Sequence, residues 1–310
     1  MSAETASQKK YIAEILDPND LPSPSNLPHL SNLNESDLDL LKQLWAKASE
    51  GRRRQVVSQL VQLSQANFRV NFSDIFFLCL RDKDAKVRVD AITGLAEEED
   101  YRHISPLVQL AKEDSSAEVR NAAIAALGKF AVLGEAGKLS ATSIKEVYHA
   151  LLAVLDDKSA GDEMHCLALD AVAPLNLPQV KERIEKAYRS NDISMKTCAV
   201  HAMGLNCDAS WFTTLVRALG STSTDIRYEA TVALGELGSE EALPYLIQLS
   251  RDQDSRVQEA AIRGIGEIGG DEARQTLNKL SKSSQQRVNK AAKSALKELH
   301  SYDDPLAEEP

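Results

Sequence analysis

The sequence predicts an all-α fold, an α-solenoid of about seven to eight stacked antiparallel helix pairs, and three observations predict it. A Val-like position recurs at Val87, Val119, Met164, Met195, Ile226, Val257 and Val288, with successive spacings of 32, 45, 31, 31, 31 and 31. Each period holds two one-sided helical stripes, such as Leu243, Leu246, Ile247 and Leu249 before a turn. After the turn come Ile226, Ala230, Ala233, Leu234 and Leu237 in the best copy. No segment shows sustained two-residue alternation, so strands are not expected. One helix pair cannot bury both its faces; stacking neighbours creates a continuous core.

Taken in order, residues 1–37 read as a Pro-rich arm, mostly disordered. Tyr11, Ile12, Ile15 and Leu16 mark a short amphipathic segment, read as a frayed helix, with docking on the solenoid or on a partner as the alternative. Pro18, Pro22, Pro24 and Pro28, with Ser and Asn between them, exclude a helix over 17–34 and predict an extended linker. Residues 38–300 carry the repeats. A degenerate copy runs from Leu38 to Leu63, with Arg53 near the basic position. Regular copies follow at Val87-Arg88, Ala91 and Gly94-Leu95, then at Val119-Arg120, Ala123 and Ala126-Leu127-Gly128. The one long spacing holds an insertion around Val132 to Lys145. The fullest copy is Asp225-Ile226-Arg227-Tyr228-Glu229-Ala230, then Ala233-Leu234-Gly235-Glu236-Leu237-Gly238. Asp84, Asp114, Asp192, Asp225 and Asp254 sit before second helices as candidate caps. Lys290, Lys293 and Lys297 read as the solvated face of a capping repeat, and 301–310 as an acidic, disordered tail.

The Val-Arg pairs, the Ala-Leu-Gly helix ends and the period resemble HEAT repeats, specifically the short bacterial kind of phycobilisome lyase subunits, over roughly residues 38–300. The resemblance implies a right-handed superhelix with second helices on its concave side. It also implies an Asp–Arg ladder between repeats. The basic slot reads Arg88, Arg120, His165, Lys196, Arg227, Gln258 and Asn289, so the ladder is expected to fail at His165 and from Gln258 onward. Such repeats fix architecture, not activity.

Composition and charge exclude several classes. No run approaches ~18 consecutive apolar residues, so no membrane span is expected. The net charge is −10, of which −5 lies in residues 1–40 and −4 in residues 301–310, leaving a nearly neutral body. General nucleic-acid binding is therefore not expected. Cys79, Cys166, Cys198 and Cys207 read as no disulfide framework, which points to a cytoplasmic, reducing compartment. None of the six histidines is followed by Glu, which sets aside the His-Glu pairs of iron-binding HEAT-like hydroxylases. Gly264-x-Gly266-x-x-Gly269 matches a dinucleotide fingerprint as a string, but it ends a helix instead of following a strand. Arg52-Arg53-Arg54 reads as a solvated cap or a contact for an acidic partner, not a DNA groove.

Repeat alignment brings forward two candidate sites. Asp170 and His201 occupy one slot a period apart, with Cys166 four residues before Asp170 on the same face. Thiolate, imidazole and carboxylate suit a metal or a nucleophile. The simpler reading, a half-buried Cys beside an Asp–His hydrogen bond, is preferred, with no metal or cofactor. Exposed slots of the second helices also form rows that suit a protein or peptide partner. From these rows Asn121, Thr197, His201, Tyr228, Glu259, Arg263 and Lys290 are the expected protein-binding residues, with Tyr228 and Arg263 as anchors. The function so read is a non-enzymatic scaffold or adaptor. The alternatives are a tetrapyrrole-handling lyase or chaperone subunit, or a DNA-binding HEAT-like repair protein. The partner's identity and the oligomeric state are not legible.

Overall fold

The computed structural model describes residues 3–17, 24–96 and 98–303, and among them every regular element is a helix. The chain divides into two compact units, Met1–Asp156 and Asp157–Pro310.

In the first unit, α1 (Ala3–Leu16) is followed by α2 (Glu35–Trp45), α3 (Glu50–Ala66), α4 (Ser73–Cys79) and α5 (Ala85–Gly94). Then come α6 (Ile104–Glu113), α7 (Ala117–Glu135) and α8 (Ala141–Asp156). Second helices α3, α5 and α7 stack in sequence, and α2 packs on α4. The degenerate copy is thus the pair α2–α3. The insertion lengthens α7, which buries Leu133 and Gly134, and supplies the start of α8. There Tyr148 donates to Glu135 at 3.0 Å.

The N-terminal arm differs from its expectation. Ile12, Ile15 and Leu16 are buried, and α1 packs on α2 and α3. The linker is not extended throughout: Pro24–Leu30 is a 3-10 helix that buries Leu27 and Leu30. A proline's fixed φ lies within the 3-10 range, so Pro28 is tolerated there. Tyr11 and His29 stack with ring centroids 3.8 Å apart. Residues 18–23 of the expected linker, and 304–310 of the acidic tail, lie outside the described residues; α17 extends to Asp303. The arginine run is likewise not a solvated cap. Arg52 is buried and donates to the Asp17 carbonyl at 2.8 Å. Arg53 donates to the Ala48 carbonyl and pairs with Asp82, while half-exposed Arg54 pairs with Asp84 and Glu50.

In the second unit, α9 (Asp162–Val172), α10 (Pro178–Tyr188), α11 (Ile193–Asn206), α12 (Phe212–Ala218) and α13 (Thr224–Glu236) come first. They are followed by α14 (Leu243–Leu249), α15 (Ser255–Ile268), α16 (Gly270–Leu280) and α17 (Gln286–Asp303). Helices α9, α11, α13, α15 and α17 form one layer, and α10, α12, α14 and α16 each cover the second helix that follows. The layer is tight because small residues meet. A Cβ added at Gly235 would lie 2.9 Å from Gly264 Cα, closer than atoms pack. Gly266 meets Ala295 in the same way, and Gly269, at φ 71°, ends α15. The three glycines of the fingerprint string therefore serve packing and helix termination.

The basic slot turns out to have two separable tasks. Its side chain donates back to carbonyls of its own turn: Arg88 to Asp82 at 2.8 Å, Arg120 to Asp114 at 2.7 Å and Arg227 to Ser221 at 3.0 Å. Where the arginine is lost, Gln258 reaches the Asp252 carbonyl at 2.6 Å, Asn289 reaches that of Ser281, and His165 Nε2 lies 2.9 Å from that of Asp157. The second task is the ionic rung to the next turn, as in Arg88–Asp114 at 2.7 Å and Arg227–Asp252 at 3.1 Å. The receiving turn holds Asp where the donor is one of these arginines. It holds Ser190, Ser221 and Ser283 at the corresponding places after His165, Lys196 and Gln258. Both residue types accept the N–H two residues on: Asp254 N–H on Asp252, Ser223 N–H on Ser221 and Gln285 N–H on Ser283. Of the five expected caps, Asp84, Asp192 and Asp254 cap their helices. Asp114 instead receives Arg88 before the cap position Ser116, and Asp225 lies in the first turn after Ser223.

Candidate interaction face

Every second helix of the 157–310 unit opens on the Val-like residue of its repeat. Ile226, Val257 and Val288 are buried, which points the positions two and six further on away from the core and builds the face. Between α13, α15 and α17 the face holds a groove of about 450 Å³. Tyr228, Arg256 and Glu259 line one end, and Arg263, Ser294 and Glu298 the other, over a floor of Ala260, Ala291 and Ala295. The Arg256 guanidinium carbon sits 6.0 Å from the centre of the Tyr228 ring, at the outer limit of a cation–π contact. Arg256 also reaches Asp225 at 3.1 Å and Asp254 at 3.5 Å, and Arg263 reaches Glu267 at 3.5 Å. These ion pairs are about half exposed. Burial raises the Glu267 carboxyl above its ordinary range, against the pull of Arg263.

One helix toward α9 lies a second cluster. His201 Nδ1 is 3.0 Å from Glu229 Oε2, and Nε2 is 4.0 Å from Asp170 Oδ1. The Glu229 hydrogen bond raises the imidazole above its usual value, outweighing burial. Burial pushes the Asp170 carboxyl up to about 6, opposed by His201 and reinforced by Glu229. Asp170 Oδ1 is buried without a hydrogen-bond partner. One turn before this pair, Cys166 on α9 and Cys198 on α11 form a disulfide, with Cα atoms 5.5 Å apart. This corrects the expectation of no disulfide framework and of a half-buried Cys166 beside an Asp170–His201 hydrogen bond: Cys166 is cross-linked, and at 4.0 Å the Asp and His do not hydrogen-bond. Cys79 and Cys207 are free.

The structure thus gathers Tyr228, Glu259 and Arg263 into one groove. Lys290 is exposed on α17 but does not line it. His201 joins the acid cluster, and Thr197, beside Cys198, spends its hydroxyl on the Ile193 carbonyl at 2.8 Å. Asn121 belongs to the other unit, on α7. Sequence reasoning missed Arg256, Glu229 and Cys198. Arg256 and Asp225 stand one full period apart with opposite charge, and that pairing was a readable signal.

Layers of second helices, covered by first helices and recurring with the period of the sequence, define an α-solenoid. The family model for HEAT repeats matches residues 74–164, 177–262 and 246–307, and the chain belongs to that family. No curated protein sequence matches the chain. Among solved structures, yeast importin-beta (Kap95p) is similar at 11% identity, with a TM-score of 0.60, 99% of this chain and 47% of that chain covered. The complex of CpcE and CpcF of phycocyanin lyase from a Nostoc species is similar at 17% identity, with a TM-score of 0.50, 90% of this chain and 97% of that chain covered. At such identities the likeness is one of fold. Among the described residues no helix is long and apolar enough to cross a membrane.

Proposed function

We propose that the chain is a non-enzymatic scaffold or adaptor that takes a peptide segment of a protein partner along its concave face. The observation that carries this reading is the groove between α13, α15 and α17, with an aromatic ring beside a guanidinium at one end and a second arginine at the other. The floor is alanine, so a peptide meets little steric obstruction. The two arginines are held by exposed ion pairs, each worth little, and an incoming carboxylate exchanges for them at small cost. The segment this chemistry recognises carries acidic residues flanking an apolar or aromatic anchor. Aromatic and Arg residues dominate many such interfaces.

Selection of a random peptide display library on the full chain tests the reading. Acidic peptides with one anchor are expected, with affinity falling at least about 10-fold in Tyr228→Ala and in Arg263→Glu. Selected peptides that bind both variants as tightly as the parent chain refute it. The likeness to phycocyanin lyase subunits supports a second reading, tetrapyrrole handling. Incubation with a bilin separates the two: a stable visible absorption band favours the second. A DNA-repair role predicts steep salt dependence of DNA binding, which the near-neutral body does not support.

A further inference from the structure

We propose that reduction of the Cys166–Cys198 disulfide opens a zinc site on the α9–α11 face, built from Cys166, Cys198, His201 and Asp170, with Glu229 holding the imidazole from behind. Four observations converge on it. The two sulfurs already meet between neighbouring helices, the two cysteine Cα atoms being 5.5 Å apart. Cys198 and His201 are three residues apart on α11, and Cys166 and Asp170 four apart on α9, so each helix presents both its donors on one face. His201 Nε2 and Asp170 Oδ1 are 4.0 Å apart, while Nδ1 is occupied by Glu229 at 3.0 Å. That hydrogen bond turns Nε2 toward the site, the arrangement by which a carboxylate orients a metal-bound histidine. Asp170 Oδ1, finally, is buried with no hydrogen-bond partner, and a cation supplies what it lacks.

Tetrahedral zinc sets the spacings that each pair of donors must reach. Zn–S bonds of about 2.3 Å place two thiolates about 3.8 Å apart, and Zn–N and Zn–O bonds of about 2.0 Å place those donors about 3.3 Å apart. Rotation about the cysteine Cα–Cβ bonds opens the first distance once the S–S bond is cut, and a shift of under about 1 Å closes the second. Among the described residues no three such side chains yet surround a metal position, and a disulfide sulfur has no thiolate to offer. The site therefore exists only after reduction. Chemically, a dithiol reductant gives two electrons and two protons to the S–S bond and itself becomes a cyclic disulfide. Zinc then displaces one proton from each new thiol into solvent. Both cysteines are partly exposed, so a reductant reaches them.

The test uses the full chain, reduced anaerobically with a phosphine, and cobalt(II) as a spectroscopic stand-in for zinc. One cobalt per chain is expected, with thiolate-to-metal charge transfer in the near ultraviolet and intense tetrahedral bands in the visible, both abolished by added zinc. The disulfide form is expected to show neither. Glu229→Gln keeps the bands and binds about 10–100-fold more weakly. Zinc shields Cys166 and Cys198 from alkylation in the unmutated chain, while Cys207 stays reactive; mapping the modified peptides needs no variant to fold. Absence of tetrahedral bands in the reduced chain overturns the proposal. So do bands that survive Cys166→Ser, bands lost in Cys79→Ser/Cys207→Ser, or alkylation of Cys166 and Cys198 that zinc does not slow.

Discussion

Arg227 performs both tasks of the basic slot, and replacing it separates them. Its side chain and that of Asp252 are 7% and 9% exposed, so the pair is buried. Arg227→Met strands the Asp252 carboxylate and removes the donor to the Ser221 carbonyl. Breaking a buried pair by deleting one member costs about 3–5 kcal/mol, since an uncompensated charge is left behind. Arg227→Gln restores the donor to the turn, as Gln258 does at 2.6 Å one repeat on. It recovers about 1 kcal/mol, the net worth of one hydrogen bond, and still leaves the carboxylate unpaired. Arg227→Gln with Asp252→Ser copies the Gln258 and Ser283 pairing that the chain already uses. That double variant is expected within about 1 kcal/mol of the parent, a coupling of several kcal/mol that only a shared interaction produces. Burial pushes the Asp252 carboxyl up, and Arg227 together with the Asp254 N–H more than offsets it, holding it below its ordinary value. Urea unfolding followed by far-ultraviolet circular dichroism on the parent, Arg227→Gln, Asp252→Ser and the double variant gives the cycle, with Arg227→Met measured beside it. A double variant as unstable as Arg227→Met, or an Arg227→Met loss under about 1 kcal/mol, refutes the reasoning.

Gly235→Ala is expected to cost about 1–3 kcal/mol, because the new methyl meets the Gly264 backbone at 2.9 Å, whereas Gly51→Ala, with nothing within 4 Å, is neutral or stabilising; the same urea assay distinguishes them. Asp170 titrates at about 6 when folded and near 3.9 when unfolded, so the stability linked to its raised value is present at low pH and lost as pH rises through about 6. With its side chain 35% exposed, screening limits the effect; Asp170→Asn is expected to gain roughly 1 kcal/mol over the parent at pH 8 and little at pH 4, and a gap independent of pH contradicts this. His201, also raised, adds stability below its unfolded value that is lost as pH rises through its folded one, so His201→Gln flattens the same profile. Cys166→Ser/Cys198→Ser removes a cross-link between residues 32 apart, worth about 3–4 kcal/mol by chain entropy; a loss below about 1 kcal/mol, read by urea unfolding under non-reducing conditions, counts against that account.

The fold was legible because the regular period places each Val-like residue, each Ala stripe and each helix end in register. The sites were legible only as far as that register is strict. Aligning slots set Cys166 opposite Thr197, yet Cys166 bonds to Cys198, one residue further round α11. Neighbouring helices interlock between slots, so the partner in space need not be the partner in alignment. The same slot logic did find Asp170 beside His201, but Glu229 stands short of a full period from His201, and went unseen. Prolines misled at Pro24–Leu30, since they veto α-helix but not a short 3-10 turn. Arg52 and Arg53 were misread because charge suggests solvent, whereas each finds a backbone carbonyl in a part-buried place.

The split duty of the basic slot has a mechanical consequence. Satisfying a repeat's own turn keeps that repeat rigid, while the charged rung fastens it to its neighbour. In the 157–310 unit α9 and α11 are bolted by sulfur, and α13 and α15 by Arg227 and Asp252. The junctions of α11 with α13 and of α15 with α17 meet at Ser221 and Ser283, which receive no such rung; the first is held instead by His201 and Glu229, and the second by Gly266 against Ala295 and by Arg287 donating to Ser255. The fastening therefore changes in kind from one junction to the next: covalent, titratable, buried ionic, then close-packed. The groove straddles the last two junctions, so one of its walls is set by a buried ion pair and the other by the contact of small residues.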